Sequence, residues 1–161
     1  MTNVPIHDAK GLTHYIETRY HARHREQLPM LAAAAERVED VHFGDDGAPE
    51  GLSVLLHLTI GEMEVHMKKE ELILLPAIRR SGMPGIEQPI AVTRADHAGH
   101  DRDIAEILRL TANLALPDGA CGIWTRLYDG LAEFIDDLTE HVRLENEVLF
   151  PQFKPAEHAD A

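Results

Sequence analysis

Apolar positions recur at alternating steps of three and four over four long stretches of the 161-residue chain, the spacing of one helix face. The first stretch runs from about Leu12 to Val41, with His21, His24, Leu28, Leu31, Ala35, Val38 and His42 on one stripe. Pro29 lies inside it, but the stripe keeps its phase across the proline, so one kinked helix is predicted. The second runs from about Leu52 to Arg80, with Leu52, Leu56, Thr59, Met63, His66, Glu70 and Ile73 in register and a bend expected at Pro76. The third covers about Ile90 to Ala115, with Ile90, His97, Ile104, Leu108 and Thr111 on one face. The fourth runs from Ile123 to about Phe150, carrying Leu127, Leu131, Phe134, Leu138, His141 and Glu145. Breaker-rich segments, Phe43 to Gly51, Ser81 to Pro89 and Leu116 to Gly122, separate the stretches. Strand alternation is absent. The prediction is all-α: an up-down-up-down four-helix bundle, one domain over residues 1–161.

Composition narrows the class. Hydrophobic residues make up 44% of the chain, enough for a core. A formal net charge of -13 argues against nucleic acid or an anionic membrane as the main partner, because both need clustered positive charge. Apolar runs such as Leu72 to Ala77 are far short of the ~20 residues that a membrane-spanning helix needs. The first ten residues hold no secretory pattern, so a cytoplasmic location is expected. No phosphate-cradling glycine motif is present. A single cysteine, Cys121, excludes an intrachain disulfide and an all-cysteine metal site. The 11 histidines are the feature that calls for chemistry.

An internal repeat organises those histidines. His66-Met-Lys-Lys-Glu70, ending in Pro76, matches His141-Val-Arg-Leu-Glu145, ending in Pro151, at an offset of 75 residues. His21-Ala-Arg-His24 matches His97-Ala-Gly-His100 at an offset of 76. Two helical hairpins therefore repeat, and a bundle built from them has an approximate two-fold axis along its length. His and Glu four apart lie on one helix face, about 6 Å apart along the axis, so both reach one centre. Imidazole with carboxylate suits iron, manganese, zinc or copper. Bundle height supports one layer: at ~1.5 Å per residue from the loop between the first two helices, or the equivalent loop of the second hairpin, His21, His66, Glu70, His97 and His141 fall between about 22 and 34 Å. Glu145 stands one turn above His141. His42 falls at only about 3 Å. Its repeat partner would be Asp118, in a loop, so His42 is excluded as a ligand. Height alone does not separate His21 from His24, or His97 from His100.

Taken together, the two His-x-x-x-Glu motifs, RYHARHREQLP, KKEELILLP, LENEVLFP and the ACGIW segment resemble the hemerythrin-like domain of the iron–sulfur cluster repair di-iron proteins. The resemblance covers about Leu12 to Phe153. It implies a four-helix bundle holding two iron ions, oxo- or hydroxo-bridged. The matching metal ligands are His21, His66, Glu70, His97, His141 and Glu145, with Glu70 and Glu145 bridging. By resemblance the role is protection against nitrosative and oxidative stress, with binding or reduction of nitric oxide and with iron–sulfur proteins as clients. A hemerythrin-type O2 carrier or sensor, and an iron donor without NO turnover, are the alternatives. Longer members carry an N-terminal domain with an adjacent cysteine pair, whereas this chain begins almost at the bundle.

Each candidate has a plainer reading. A lone His-x-x-x-Glu is usually a surface pair. Two copies at core-facing phase outweigh that, because buried unpaired imidazoles and carboxylates are costly. His24 and His100, one turn beyond His21 and His97, are read as standing behind the layer or lining a channel. Glu62, one turn before His66, could equally orient a ligand, relay protons or face solvent. His7, His14, His42, His57 and His158 are expected at the surface or in caps, and Met30, Met63, Met67 and Trp124 in the core or rim. The histidine-rich set suits reversible binding of a small molecule more than iron storage, which uses more carboxylates.

Overall fold

Four helices joined by short loops account for residues 3–153, the part of the chain that the computed structural model describes; no strand occurs among them. Helix α1 runs through Ala9–Tyr15, Ile16–His21 and Ala22–Val41 without a break. Helix α2 runs through Leu52–Lys69, Glu70–Leu74 and Leu75–Arg79. Helix α3 is Glu87–Leu110. Helix α4 runs through Gly122–Arg143 and Leu144–Leu149 and closes in a 3-10 turn, Phe150–Phe153. The segments Ile16–His21, Glu70–Leu74 and Leu144–Leu149 are π-helical.

Side-chain pairs show the alternating direction. From α1 to α2, His21 meets Glu71, Arg25 meets Glu64, and Glu36 meets His57. From α1 to α4, Arg19 meets Asp137, Arg23 meets Glu133, and Gln27 bonds the Gly130 carbonyl. One number rises as the other falls, so each pair of helices is antiparallel. Gly130 lets α1 come close: a Cβ there would stand 2.7 Å from Leu31 Cδ2. The α1–α2 connection ends at Gly51, whose φ of +90° is a glycine conformation and which has no side chain to cap α2. Glu39 does so instead, accepting from the Gly51 and Ser53 amides at 2.6 and 3.1 Å.

The apolar stripes pack into two clusters. One, around Leu28, Leu56, Leu127, Leu131 and Phe134, fills the half nearer the α1–α2 and α3–α4 loops. The other, around Leu12, Ile16, Leu74, Leu149 and Phe150, fills the opposite end. The histidine layer lies between them.

Pro29 sits within the continuous segment Ala22–Val41, as expected of one helix. Two details depart from the sequence reading. Helix α3 starts at Glu87 and stops at Leu110, short of Ala115. There Ala112, Asn113 and Leu114 turn left-handed, at φ +49°, +59° and +60°, and the Leu114 amide bonds Thr111 Oγ1 at 3.1 Å. Ile73, placed on the buried face by simple periodicity, is 53% exposed, and Leu74 is buried in its stead. The π turn at Glu70–Leu74 holds one extra residue, which moves the inward phase on by one. His158 lies outside the described residues. Leu131, fully buried in the first cluster, gives a test of this packing: Leu131→Ala should lower stability by about 2–5 kcal/mol in urea denaturation, with helical content unchanged.

Candidate metal centre

All six side chains that the resemblance implies meet in one layer: His21 from α1, His66 and Glu70 from α2, His97 from α3, His141 and Glu145 from α4. None is more than 2% exposed. Their ligand atoms fall into two groups, His66, Glu70, His97 and Glu145, and His21, Glu70 and His141; within each group the atoms lie within 4.8 Å of one another. Glu70 belongs to both. Its Oε1 stands 2.6 Å from His66 Nε2 and 3.8 Å from His97 Nε2. Its Oε2 stands 2.9 Å from His21 Nε2 and 3.9 Å from His141 Nε2. Glu145 Oε1 lies 2.6 Å from His141 Nε2 and 3.5 Å from His97 Nε2. One carboxylate thus offers an oxygen to each position, and the other lies between histidines of both.

The backbone changes step where it delivers these side chains. Ala22, Leu75 and Phe150 donate their amides to the carbonyls of Glu17, Glu70 and Glu145, each five residues back. Such π turns concentrate at functional sites. Here His21 ends one of them, Glu70 begins the second, and Glu145 is the second residue of the third. Pro76 and Pro151 follow two of the turns, so their missing N–H groups fall where the hydrogen-bond ladder is already interrupted.

Outward-facing nitrogens are held as well. His21 Nδ1 bonds Glu71 Oε2 at 2.8 Å, His66 Nδ1 bonds Asp96 Oδ2 at 3.0 Å, and His97 Nδ1 bonds Asn146 Oδ1 at 2.8 Å. His141 Nδ1 meets His24 Nε2 at 3.1 Å. Cations neutralise both outer carboxylates: Arg25 grips Glu71 at 2.7 and 2.8 Å, and Lys69 meets Asp96 at 2.7 Å. Tyr20 stacks on His141, with centroids 5.5 Å apart and planes within 11°. This is the arrangement that fixes ring orientation and tautomer in metal-binding histidines.

Electrostatics identify the cage as one of opposed charges. Burial would raise the Glu70 pKa, but the surrounding imidazoles of His141, His21, His66 and His97 hold it well below the usual carboxylate range. Burial would lower His97 and His141, but Glu145 and Glu70 reverse this and hold them up at about 10 and about 9. His24 and His100, which lack such carboxylate partners, are driven down by burial to about 2 and about 3. Inside the cage, His66 Nε2, His97 Nε2, His141 Nε2, Glu70 Oε1 and both Glu145 oxygens are buried without a well-formed hydrogen bond. Orphaned donor atoms converging from α2, α3 and α4 beside His21 of α1 fit metal cations, which would displace the imidazole protons.

Other singled-out residues lie elsewhere. His42 is at the loop end, where Nδ1 bonds Asp45 at 2.9 Å and Nε2 meets Cys121 Sγ at 3.2 Å. That contact, with the Trp124 amide, brings the Cys121 thiol down to about 7. Glu62 is exposed, beside Asp103, whose carboxyl is raised to about 7 by burial and by its hydrogen bond to Glu62. His7, His14 and His57 are exposed; Met63, Met67 and Trp124 are buried, and Met30 is at the surface. Sequence reasoning did not single out Glu71, Asp96, Asn146, Arg25, Lys69 or Tyr20. The repeat carried a signal for two of them, since Glu71 and Asn146 each follow a cage glutamate.

Metal analysis should find that Glu70→Ala, which strips an oxygen from both positions, reduces two bound ions to one or none, whereas His42→Ala retains two. Alkylation of Cys121 by iodoacetamide should rise through a midpoint near pH 7. His42→Ala should move that midpoint toward the ordinary thiol value of about 8.5.

Comparison with known proteins agrees with this geometry. The family model described as the hemerythrin HHE cation binding domain matches residues 13–153. The iron-sulfur cluster repair proteins YtfE of Yersinia pseudotuberculosis (strain YPIII) and Yersinia pestis (strain Pestoides F) are 45% identical to the chain over 142 residues. The match takes in 88% of this chain and 64% of each relative, so the chain spans a little under two-thirds of their length. With a four-helix bundle and a match over nearly its whole length, the chain belongs to the hemerythrin HHE cation-binding family.

Proposed function

We propose that this protein holds two iron ions in the histidine–glutamate layer, binds nitric oxide or O2 there, and supports the repair of damaged iron–sulfur clusters under nitrosative and oxidative stress. The observation that carries the reading is the shared carboxylate: Glu70 directs one oxygen toward the His66–His97 position and the other toward the His21–His141 position. His66 and His97 would hold one ion and His21 and His141 the other, with Glu70 and Glu145 available to both. Four imidazoles against two carboxylates leave coordination positions free, and bound iron would supply a redox-active centre for a diatomic ligand there.

The chain's own groups do the rest. The two apolar clusters close the layer above and below and keep bulk water out. Glu71, Asp96 and Asn146 accept the outer N–H of three ligand imidazoles, so those rings present Nε2 lone pairs inward. A cleft of about 490 Å³ between α2 and α3 reaches His66 and His100 and gives small molecules a way in. Its wall balances Glu62 and Asp96 with Lys69 and Arg102. The same opening supports the second reading, in which the bound iron is cargo for a client protein. The names of the YtfE relatives support the repair role, which we place in the cytoplasm.

Titration of the reduced, iron-loaded protein with NO and with O2 separates the readings. NO should change the optical and EPR spectra of the reduced protein in proportion to the iron present. A reduced protein unchanged by NO would overturn NO binding. A stable, reversible optical change with O2 would favour the carrier or sensor, and iron transfer to a cluster-free client without NO turnover the donor.

A further inference from the structure

The repeat that generates the cage breaks at one hydrogen bond. Three of the four outer imidazole nitrogens meet oxygen atoms of Glu71, Asp96 and Asn146 that can accept. The fourth, His141 Nδ1, meets another ring nitrogen, His24 Nε2, at 3.1 Å. Between two ring nitrogens, one must carry the proton. His141 Nε2 points at the carboxylates of Glu145 and Glu70, at 2.6 and 3.9 Å, where a metal ligand needs its lone pair. A His141 that gives that lone pair to a metal keeps its proton on Nδ1, and His24 accepts it. His24 Nε2 then has no proton, so that of His24 is on Nδ1, a buried atom with no hydrogen-bond partner. Stranding a buried donor is costly. The structure nonetheless holds the ring firmly. His24 is fully buried, stacked on His141 at 5.3 Å and 26°, with Phe134 edge-on at 5.6 Å and 83°. Its counterpart in the repeat, His100, makes no such bond. It stands edge-on to His66, 4.7 Å away at 89°, while the outer nitrogen of His66 goes to Asp96.

We propose that His24 is a positioning residue for the His21–His141 metal position: held by packing with Nε2 toward His141, it accepts from His141 Nδ1, orients that ring and makes the two metal positions chemically inequivalent. The proposal rests on the two-metal reading of the cage. Each position has one imidazole backed by a carboxylate that a cation neutralises, His21 through Glu71 and Arg25, His66 through Asp96 and Lys69. They differ in the other imidazole. His97 is backed by the Asn146 amide oxygen, and His141 by a ring whose remaining donor is unpaired. Losing the His24 acceptor frees the outer N–H of His141 and loosens one position only.

Nitrogen-15 NMR of histidine side chains in the metal-free protein and its diamagnetic zinc-loaded form reads the tautomer directly. The expected result is a pyrrole-type Nδ1 and a pyridine-type Nε2 for His24, with assignment from His24→Gln. A proton on His24 Nε2 overturns the proposal. Iron-57 Mössbauer spectra should then show two distinct iron sites. His24→Leu should alter one of them and speed loss of that iron to a chelator by about tenfold or more. His24→Gln, whose amide oxygen can accept from His141, should restore both properties. Both sites shifting equally, or neither shifting, overturns the proposal, as does a glutamine variant that behaves like the leucine one. If wild-type protein binds no metal pair, the two-metal reading fails and the site-inequivalence claim with it; the metal-free NMR result still decides the tautomer. If His24→Leu does not fold, the tautomer and the glutamine variant decide.

Discussion

Six ionisable side chains lie buried between two apolar layers, and the rest of the molecule is arranged around the cost of keeping them there. A buried charge without a partner is prohibitively expensive, and even a paired one recovers its desolvation only through good geometry. The cage meets this requirement by alternation, with three of the four glutamate oxygens facing imidazoles and each imidazole facing a carboxylate. The requirement then extends outward. Outer nitrogens need acceptors, the acceptor carboxylates need cations, and so Arg25 with Glu71 and Lys69 with Asp96 form two partly exposed ion pairs beside the buried layer. Charge is handed from the interior to solvent in two steps rather than one.

The sequence made much of this legible because the repeat acts as a ruler. Neither the helix stripe nor the repeat separates His24 from His21, since both are buried on the same face of α1 and both recur at the offset of 76. The offsets of 75 and 76 residues, taken with bundle height, pointed to the level where the ligands meet and set His42 apart. What could not be read was any change in helical step. Periodicity assumes a constant turn, so it placed Ile73 inward and missed the residue that the π turn inserts. It also carried α3 through Thr111 to Ala115, although local side-chain and backbone hydrogen bonds end the helix at Leu110. The outer acceptors were hidden for another reason. Glu71 and Asp96 look like surface charges in sequence, and only the packing of neighbouring helices brings them against imidazoles.

Two-fold likeness is therefore strongest at the centre and decays outward. The cage glutamates occupy matching places in the repeat, as do the histidines of α1 and α3. One step out, Glu71 is matched by Asn146, and Tyr20 by Asp96. Tyr20 stacks on a ligand ring, while Asp96 hydrogen-bonds one. The shared geometry sets what can be bound, and the divergent surroundings are where the two halves acquire separate properties.

The three π turns carry a consequence for how this chain can change. Each adds a residue within the helix just where a cage ligand is delivered, and each lies between the two apolar clusters or at the edge of the second. Deleting one residue from Glu70–Leu74 would restore a regular helix but turn everything beyond it by about 100°. Leu74, Leu75 and Ile78 would then rotate out of the end cluster. The far core is thus indexed to the ligand layer, like the teeth of a gear to its key. Drift in chain length at these turns would need a compensating shift in a neighbouring helix, so the lengths of the helices are tied to one another through the site they share.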